Sequence, residues 1–468
     1  MLIPIIKGIY TDAAPAIRAA YPVNLVPVPK ESGVSNDMLR PADGIVLMGT
    51  GPGKDRGGIN WNGVCYRVMG TKLVSVSSAG VITTLGDVGG SESSLVTMDY
   101  GFDRIAIASG SGLYYWNGTA LTQVTDPNLG TVLDVAWADG YYVTTDGASL
   151  IVTDLTDPTQ VNPLKYGSSE ADPDRIVAVK RYRTEIYAIN RHTIEVFDNI
   201  GGELFPFQRI EGAQIQKGAV GTHACCIYAD SIAFVGGGRN ESVGVYIAQN
   251  ATTQKISTQE IDKLLAGYSE AEIAGIKLEA RMADNHNHLY LHLPDRTVVY
   301  DLSASMETKT SVWFVLTSAL AGFGQYRARN FVLAYGKWIV GDPASSNVGN
   351  VSQTISSHWG DTVRWEFSTS IMYNEGKGAI FNSIELAALT GSVALGQDPV
   401  ISTSYSLDGK LWSQEKAIKA GQVGDTTKRL VWFRQGAMRH WRIQRFSGTS
   451  NAHITILAIS AELEALGA

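Results

Sequence analysis

The segment Gly49-Thr50-Gly51-Pro52-Gly53-Lys54-Asp55 has the residue types of a phosphate-binding loop, glycines that expose amides and a lysine to meet the anion. The working motif needs four residues between its first glycine and Gly-Lys, then Ser or Thr to reach Mg²⁺. Here the spacing is short, Asp55 stands where the hydroxyl should be, and Pro52 removes an amide. Nucleotide binding is therefore not assigned. His286, His288 and His292 fall on one parity, so a continuous strand would set them on one face together with Tyr290. Zinc requires three or four convergent ligands. No cysteine is near in sequence, and Asp284 is the one nearby carboxylate on that parity. A turn over Asp284-Asn285-His286-Asn287, with His292 filling a strand position, is preferred, and no metal ligands are assigned.

Other chemistry is equally unsupported. The sequence has no Gly-x-Ser-x-Gly elbow, and Cys65, Cys225 and Cys226 lack a recognisable nucleophile context. Asp408-Gly409-x-x-Trp412 comes close to the aspartate-box hairpin of propeller sialidases, but it is a residue short and occurs once, so it reads as a turn. No catalytic, cofactor-binding or metal-binding residue is assigned, and the chain reads as a non-enzyme.

The most unusual charge feature lies between Lys428 and Arg445. Lys428, Arg429, Arg434, Arg439, Arg442 and Arg445 occur there without a single acid, interleaved with Trp432, Phe433, Trp441 and Ile443. Two strands, each with an apolar side, are expected. One reading is an electropositive ribbon facing phosphate or an acidic partner, because arginine forks pair bidentately with such groups. The other is a solvated or intersubunit strand face.

The elements that would position these residues are β-strands. Glycine is abundant, 49 of 468 residues, and Val, Ile, Thr, Tyr and Trp recur throughout, as many short strands joined by tight turns require. Hydrophobic content of 44 % allows a sizeable core, and 468 residues exceed what one core serves. From residue 45 to 358 short β runs alternate with turn clusters at a spacing of roughly forty residues, the period of four-stranded propeller blades. Six blades are preferred, with seven the alternative. A helical insertion at about 258–274 interrupts them, with Thr258 and Ser269 as N-caps and Ser269-x-x-Glu272 as a capping box. It either packs on the propeller's side or serves as an exposed docking element. Residues 362–468 change to longer alternating strands and read as a C-terminal β-sandwich-like domain, completing an all-β class.

Residues 1–44 hold six prolines, Pro4, Pro15, Pro22, Pro27, Pro29 and Pro41, and read as an extended arm, since proline cannot donate to a ladder. Such an arm lies along its parent domain or along a neighbouring subunit; Tyr21, Pro22, Asn24 and Lys30 are the candidate intersubunit residues. The N-terminus lacks the pattern of a signal peptide, no run reaches the length of a membrane span, and the odd cysteine count gives no disulfide framework. Folding in a reducing cytoplasm is expected. A net charge of −7 argues against a surface that grips phosphate throughout.

Ordered strings along the chain carry a resemblance. Tyr21-Pro22-Val23-Asn24-Leu25, Pro29-Lys30-Glu31 and Leu39-Arg40-Pro41 come first, followed by Tyr66-Arg67-Val68-x-Gly70 and Thr153-Asp154-Leu155-x-Asp157. Glu170-Ala171-x-Pro173-Asp174, Ile194-Glu195-x-Phe197, Gln216-Lys217-Gly218-x-x-Gly221-Thr222, His292-Leu293-Pro294 with Val299-Tyr300-Asp301, and Val431-Trp432 with Arg434 complete the series. In this order they resemble the packaged-DNA stabilisation protein family of short-tailed, tailspike-bearing phages. Residues 46–62 and 461–468 depart from the pattern. The resemblance implies a structural tail hub, or nozzle, in the virion: a ring, hexameric by preference, below the portal and adaptor rings. Such a ring would extend the DNA channel, retain packaged DNA that passes without sequence-specific binding, and present surfaces to a tail needle and tailspikes. It implies no cofactor. The competing expectation is a propeller that binds or cleaves glycans at the host surface.

Overall fold

The protein is described by a computed structural model covering residues 21–30, 37–169, 172–249, 251–374, 377–449 and 451–466, and the backbone of Leu2–Ile3. Pro4, Lys7, Pro15, Glu31, Glu170 and Ala171 lie outside the described residues.

Seven antiparallel sheets succeed one another between residues 44 and 352 among the described residues. The first contains Asp55–Trp61, Val64–Met69, Lys72–Val76 and Ile82–Asp87. The next four occupy residues 97–123, 134–168, 176–209 and 218–255. The sixth contains Lys277–Ala283, His286–His292, Thr297–Asp301 and Val312–Leu316. The seventh has only three consecutive strands, Arg329–Ala334, Lys337–Gly341 and Asn347–Ser352; its fourth is Gly44–Thr50, which precedes the first sheet in the chain.

Local sequence explains the hairpins. A two-residue turn whose twist suits its strands needs φ > 0 at both central residues. Asn62-Gly63 (+51°, +78°) and Asp139-Gly140 (+49°, +92°) meet that need between the first two strands of their sheets. Asp284 and Asn285 do the same at +48° and +64°. The turn expected over Asp284–Asn287 is thus confined to its first two residues, and His286 and Asn287 belong to a strand.

The first strand of each sheet packs on that of the next, Cys225–Tyr228 serving in the fifth, and Arg329–Ala334 packs back on Asp55–Trp61. Carboxylates reinforce these seams. Asp99 Oδ2 accepts the Trp137 amide (2.7 Å), Asp134 Oδ2 accepts that of Val179 (2.9 Å), and Glu279 accepts those of Asn330 (3.1 Å) and Phe331 (3.2 Å). Within the first sheet Arg67 pairs bidentately with Asp55 (2.7 and 2.8 Å), both fully buried, and the Asn330 side-chain amide of the seventh sheet donates to Asp55 across the seam. A side chain at Gly341 would collide with this pair, its Cβ falling 2.0 Å from Asp55 Cγ. Apolar layers fill the gaps; Cys65, Met69, Val74 and Val76 of the first sheet pack against Val332, Ile339 and Val348 of the seventh. First strands of six sheets line a cavity of about 260 Å³ containing Lys180, Cys225, Lys277 and Glu279.

The helices Gln259–Leu265 and Glu270–Ala274 have Thr258 and Ser269 at their N-caps, the latter with a complete capping box. Ile261, Leu265 and Ile273 are buried in the core between the fifth and sixth sheets. A further helix, Leu302–Thr308, was not expected; Asp301 caps it by accepting the Ala304 amide (3.0 Å).

Two more sheets share one core and form the sandwich-like region. One contains Arg364–Ser368, Val400–Ser406, Lys416–Lys419 and Trp441–Thr449; the other contains Ala379–Leu389, Leu430–Phe433 and Thr455–Ala465. The second also takes Leu25–Val28 and Met38–Pro41, so this part of the expected arm is a hairpin of the sandwich rather than an extended strand of chain. Leu25 and Leu39 are buried with Trp365, Phe367 and Phe446, and burial of these side chains overrides the proline content. Pro27 is tolerated because its strand is the sheet's edge.

Two predictions follow from the buried groups. Asp55→Ala leaves the Arg67 guanidinium buried without its anion and should destabilise the chain by about 3–5 kcal/mol in urea unfolding. His358 is buried beside Ser318 Oγ (2.8 Å from Nδ1), and burial, aided by Arg327, pushes its pKa down to about 3. The unfolded chain therefore takes up a proton that the folded chain refuses. Stability from this residue is complete above the unfolded pKa of about 6.5 and falls as pH drops from there toward 3, by up to about 1.4 kcal/mol per pH unit. Urea midpoints at pH 7 and pH 5 should converge for His358→Asn relative to the unsubstituted chain.

Candidate functional site

The basic ribbon is not one surface. Lys428 and Arg429 precede Leu430–Phe433 in one sandwich sheet, whereas Arg442 and Arg445 lie on Trp441–Thr449 in the other. Acids absent from the local sequence arrive from other strands: Arg429 forks onto Glu385 (2.8 and 2.7 Å), and Arg445 lies 3.4 Å from Glu415 while stacking on Trp412 (4.2 Å). Arg442 is fully buried between the rings of Phe381 (4.1 Å) and Tyr405 (3.9 Å). It donates to the Gln435 carbonyl (2.6 Å) and to Gln444 Oε1 (2.6 and 3.0 Å), and burial lowers its pKa to about 10. Lys428, Arg434 and Arg439 remain exposed, without an ion pair to another described residue. Of the six cations, three are exposed, and strand pairing brings acids or aromatic rings to the other three, so the electropositive-ribbon reading is left with Lys428, Arg434 and Arg439.

The candidate arm residues make their contacts within the chain. Val23 exchanges backbone hydrogen bonds with Glu366 (2.8 and 3.1 Å), and the Pro22 carbonyl accepts the Val315 amide (2.8 Å). Asn24, with φ +52°, inserts its side chain between the two halves: Nδ2 donates to the carbonyls of Thr317 (2.9 Å) and Arg364 (2.7 Å), and Oδ1 accepts the Thr317 amide (3.0 Å). Tyr21 Oη lies 2.7 Å from Thr258 Oγ1 at the helical insertion. Lys30 donates its amide to Asp37 (2.8 Å) on the exposed hairpin.

The strings behind the resemblance serve structure. Gly218 abuts the previous sheet so closely that a Cβ would fall 2.1 Å from the Asn190 carbonyl oxygen. Gln216 precedes it, and Lys217 pairs with Glu241 and lies 5.1 Å from the Tyr246 ring. His292 bridges Glu279 (2.6 Å) and Thr297 (3.0 Å); Leu293 is buried and Pro294 forms the exposed turn beyond. Burial outweighs the Glu279 carboxylate and lowers the His292 pKa to about 4. Asp408 Oδ1 accepts the amides of Lys410 and Leu411 (both 2.8 Å), an ordinary turn. Asp55, in the glycine-rich loop, is committed to Arg67.

The histidine strand is continuous after all. His286, His288, Tyr290 and His292 share one face, with neighbouring ring centroids 6.0–6.1 Å apart. The carboxylate they meet is Asp301, which sits opposite His288 on the next strand; Asp284 turns outward to Arg40 and Gln353. Asp301 Oδ2 lies 2.6 Å from His286 Nδ1 and 3.3 Å from His288 Nε2. Burial raises the carboxyl, but the two imidazoles outweigh it and hold Asp301 well below the usual range. Spacing within one strand could not reveal a ligand on the next. The N-cap position of Asp301 before a helix was the available signal.

Arg442 and the exposed cations separate in a stability test. Arg442→Ala should lower stability by roughly 2–4 kcal/mol through lost packing and orphaned acceptors. Joint replacement of Lys428, Arg434 and Arg439 by serine should change it by no more than about 0.5 kcal/mol per site in the same denaturation assay.

Residues 1–356 match the family described as bacteriophage P22 Gp10, beta-propeller, and residues 364–464 match bacteriophage P22 Gp10, beta-sandwich. The tail hub protein gp10 of Salmonella phage P22 is 30 % identical over 461 residues, covering 93 % of this chain and 94 % of that protein. Among solved structures, the Neurospora crassa Pan2 WD40 domain is 12 % identical with a TM-score of 0.43, covering 66 % of this chain and 95 % of that one. The N-terminal domain of Nup159 is 9 % identical with a TM-score of 0.42, covering 71 % and 99 %. With both regions of the chain matched in order, this protein belongs to the bacteriophage P22 Gp10 family.

Proposed function

We propose that this chain is a structural, non-enzymatic tail hub protein of a short-tailed phage, residing in the virion tail after synthesis in the host cytoplasm. The observation that carries the reading is the end-to-end match to a tail hub protein, which spans both regions rather than a shared propeller alone. Its architecture would be a seven-bladed propeller over residues 45–358, closed by Gly44–Thr50, with a sandwich over 362–468 that recruits the 25–41 hairpin. Support for closure comes from the return contact of Arg329–Ala334 on Asp55–Trp61 and from the buried Asp55–Arg67–Asn330 cluster across that seam.

Several copies, six by preference, would form a ring beneath the portal and adaptor, extend the DNA channel and hold the tail needle and tailspikes. In such a ring the DNA path would run along the ring axis, between subunits. A net charge of −7, with three of the six ribbon cations buried or paired, suits a surface that DNA passes without being held. No helix among the described residues is long and apolar enough to cross a membrane. The glycan reading gains no support, since its one motif is an ordinary turn.

Phage particles assembled without this protein should fill with DNA and then lose it, and adding the purified protein should restore retention. Full, stable particles lacking the protein would overturn the proposal; quantitative DNA release over time is the measurement.

A further inference from the structure

The sixth sheet holds a group of side chains that the tail hub reading does not use. His288 and Asp301 are direct cross-strand partners, and His286 lies two residues along the same face. One ligand atom from each lies within 4.8 Å of the others, and the residues are 2 %, 0 % and 6 % exposed respectively. Neither ring nitrogen of His288 makes a hydrogen bond, although Nε2 is only 3.3 Å from Asp301 Oδ2. A buried imidazole left in this state forfeits about 1–3 kcal/mol of solvation, so an unsatisfied nitrogen aimed at a carboxylate and a second imidazole calls for an explanation.

We propose that His286, His288 and Asp301 form a buried site for a divalent transition metal, with zinc its natural occupant. Two imidazoles and one carboxylate are a borderline donor set that suits zinc and not magnesium or calcium, which take mainly oxygen ligands. Tetrahedral ligands at about 2.0–2.1 Å from zinc stand about 3.3–3.4 Å apart. The His288–Asp301 separation of 3.3 Å already meets this, and the His286–Asp301 separation of 2.6 Å needs to open by about 0.7 Å.

The surroundings orient the set. Asp301 Oδ1 is occupied by the Ala304 amide (3.0 Å), which leaves Oδ2 for the metal and fixes the carboxylate plane. Phe314 packs against the His288 ring in a T-shaped contact at 5.4 Å. Three protein ligands leave a fourth position for water. Bound metal would join the strands His286–His292 and Thr297–Asp301 to the helix Leu302–Thr308, and so act as a structural clasp.

The test uses the full-length chain carrying no histidine tag, stripped with chelator and then equilibrated with zinc chloride. After gel filtration, elemental analysis should find about one zinc per chain, and cobalt(II) in its place should give the visible absorption of a tetrahedral site. His288→Gln and His286→Gln should each weaken zinc binding at least about tenfold and abolish the cobalt spectrum, with circular dichroism confirming that each variant is folded. His440→Gln, an exposed histidine of the sandwich, should bind as the unsubstituted chain does. Less than about a tenth of a zinc per unsubstituted chain, or folded His288→Gln and His286→Gln that bind like it, would overturn the proposal.

Discussion

Strand Gly44–Thr50 pairs with Asn347–Ser352, and the arrangement of the whole chain depends on that pairing. It completes the seventh sheet with residues made before the first, so the ends of the sheet series are joined covalently through the short loop to Asp55. Directly beyond that loop, Asp55 meets Arg67 and Asn330, a charge pair that only a well-packed seam between the first and seventh sheets could keep out of water. The same strand sends the chain the other way into Met38–Pro41, while Asn347–Ser352 leads on toward Arg364–Ser368. Both routes into the sandwich therefore leave from one sheet, and the two regions are neighbours by connection before any side chain is considered.

Val23 and Asn24 turn that proximity into a defined geometry. Val23 forms bridges to Val315 of the sixth sheet and to Glu366 of the sandwich, so backbone hydrogen bonding continues across the junction. Asn24 satisfies polar groups of both sides with one amide, in a left-handed conformation that asparagine adopts more readily than most residues. A junction built from directional bonds resists rotation better than one built from apolar contact alone.

Charge is distributed on the same principle. Asp99, Asp134 and Glu279 each reach from a first strand to an amide of the following sheet, so their acidity is spent on holding seams. The cations near the C-terminus are dispersed between two sheets, and half of them are taken up by rings or acids of the same chain. What looks like a patch in one dimension is mostly internal wiring in three. A chain stabilised in this way can be mildly acidic overall and still contain many arginines.

Features governed by neighbouring residues were legible from the sequence alone. Glycine and asparagine at the hairpins, the capping box at Ser269, the strand-rich texture, and the ordered strings that mark the family all depend on local conformation or on the chain read in order. Proline content describes hydrogen-bonding capacity and not burial, so it gave no sign that Leu25 and Leu39 enter the sandwich core. Tertiary structure alone decided that Gly44–Thr50 would supply the last strand, that Glu385 and Glu415 would reach the ribbon, and that Asp301, not Asp284, would face His286 and His288. Each of those outcomes joins residues on different strands. Their pairing is set by the register and packing of whole sheets, which no local propensity encodes.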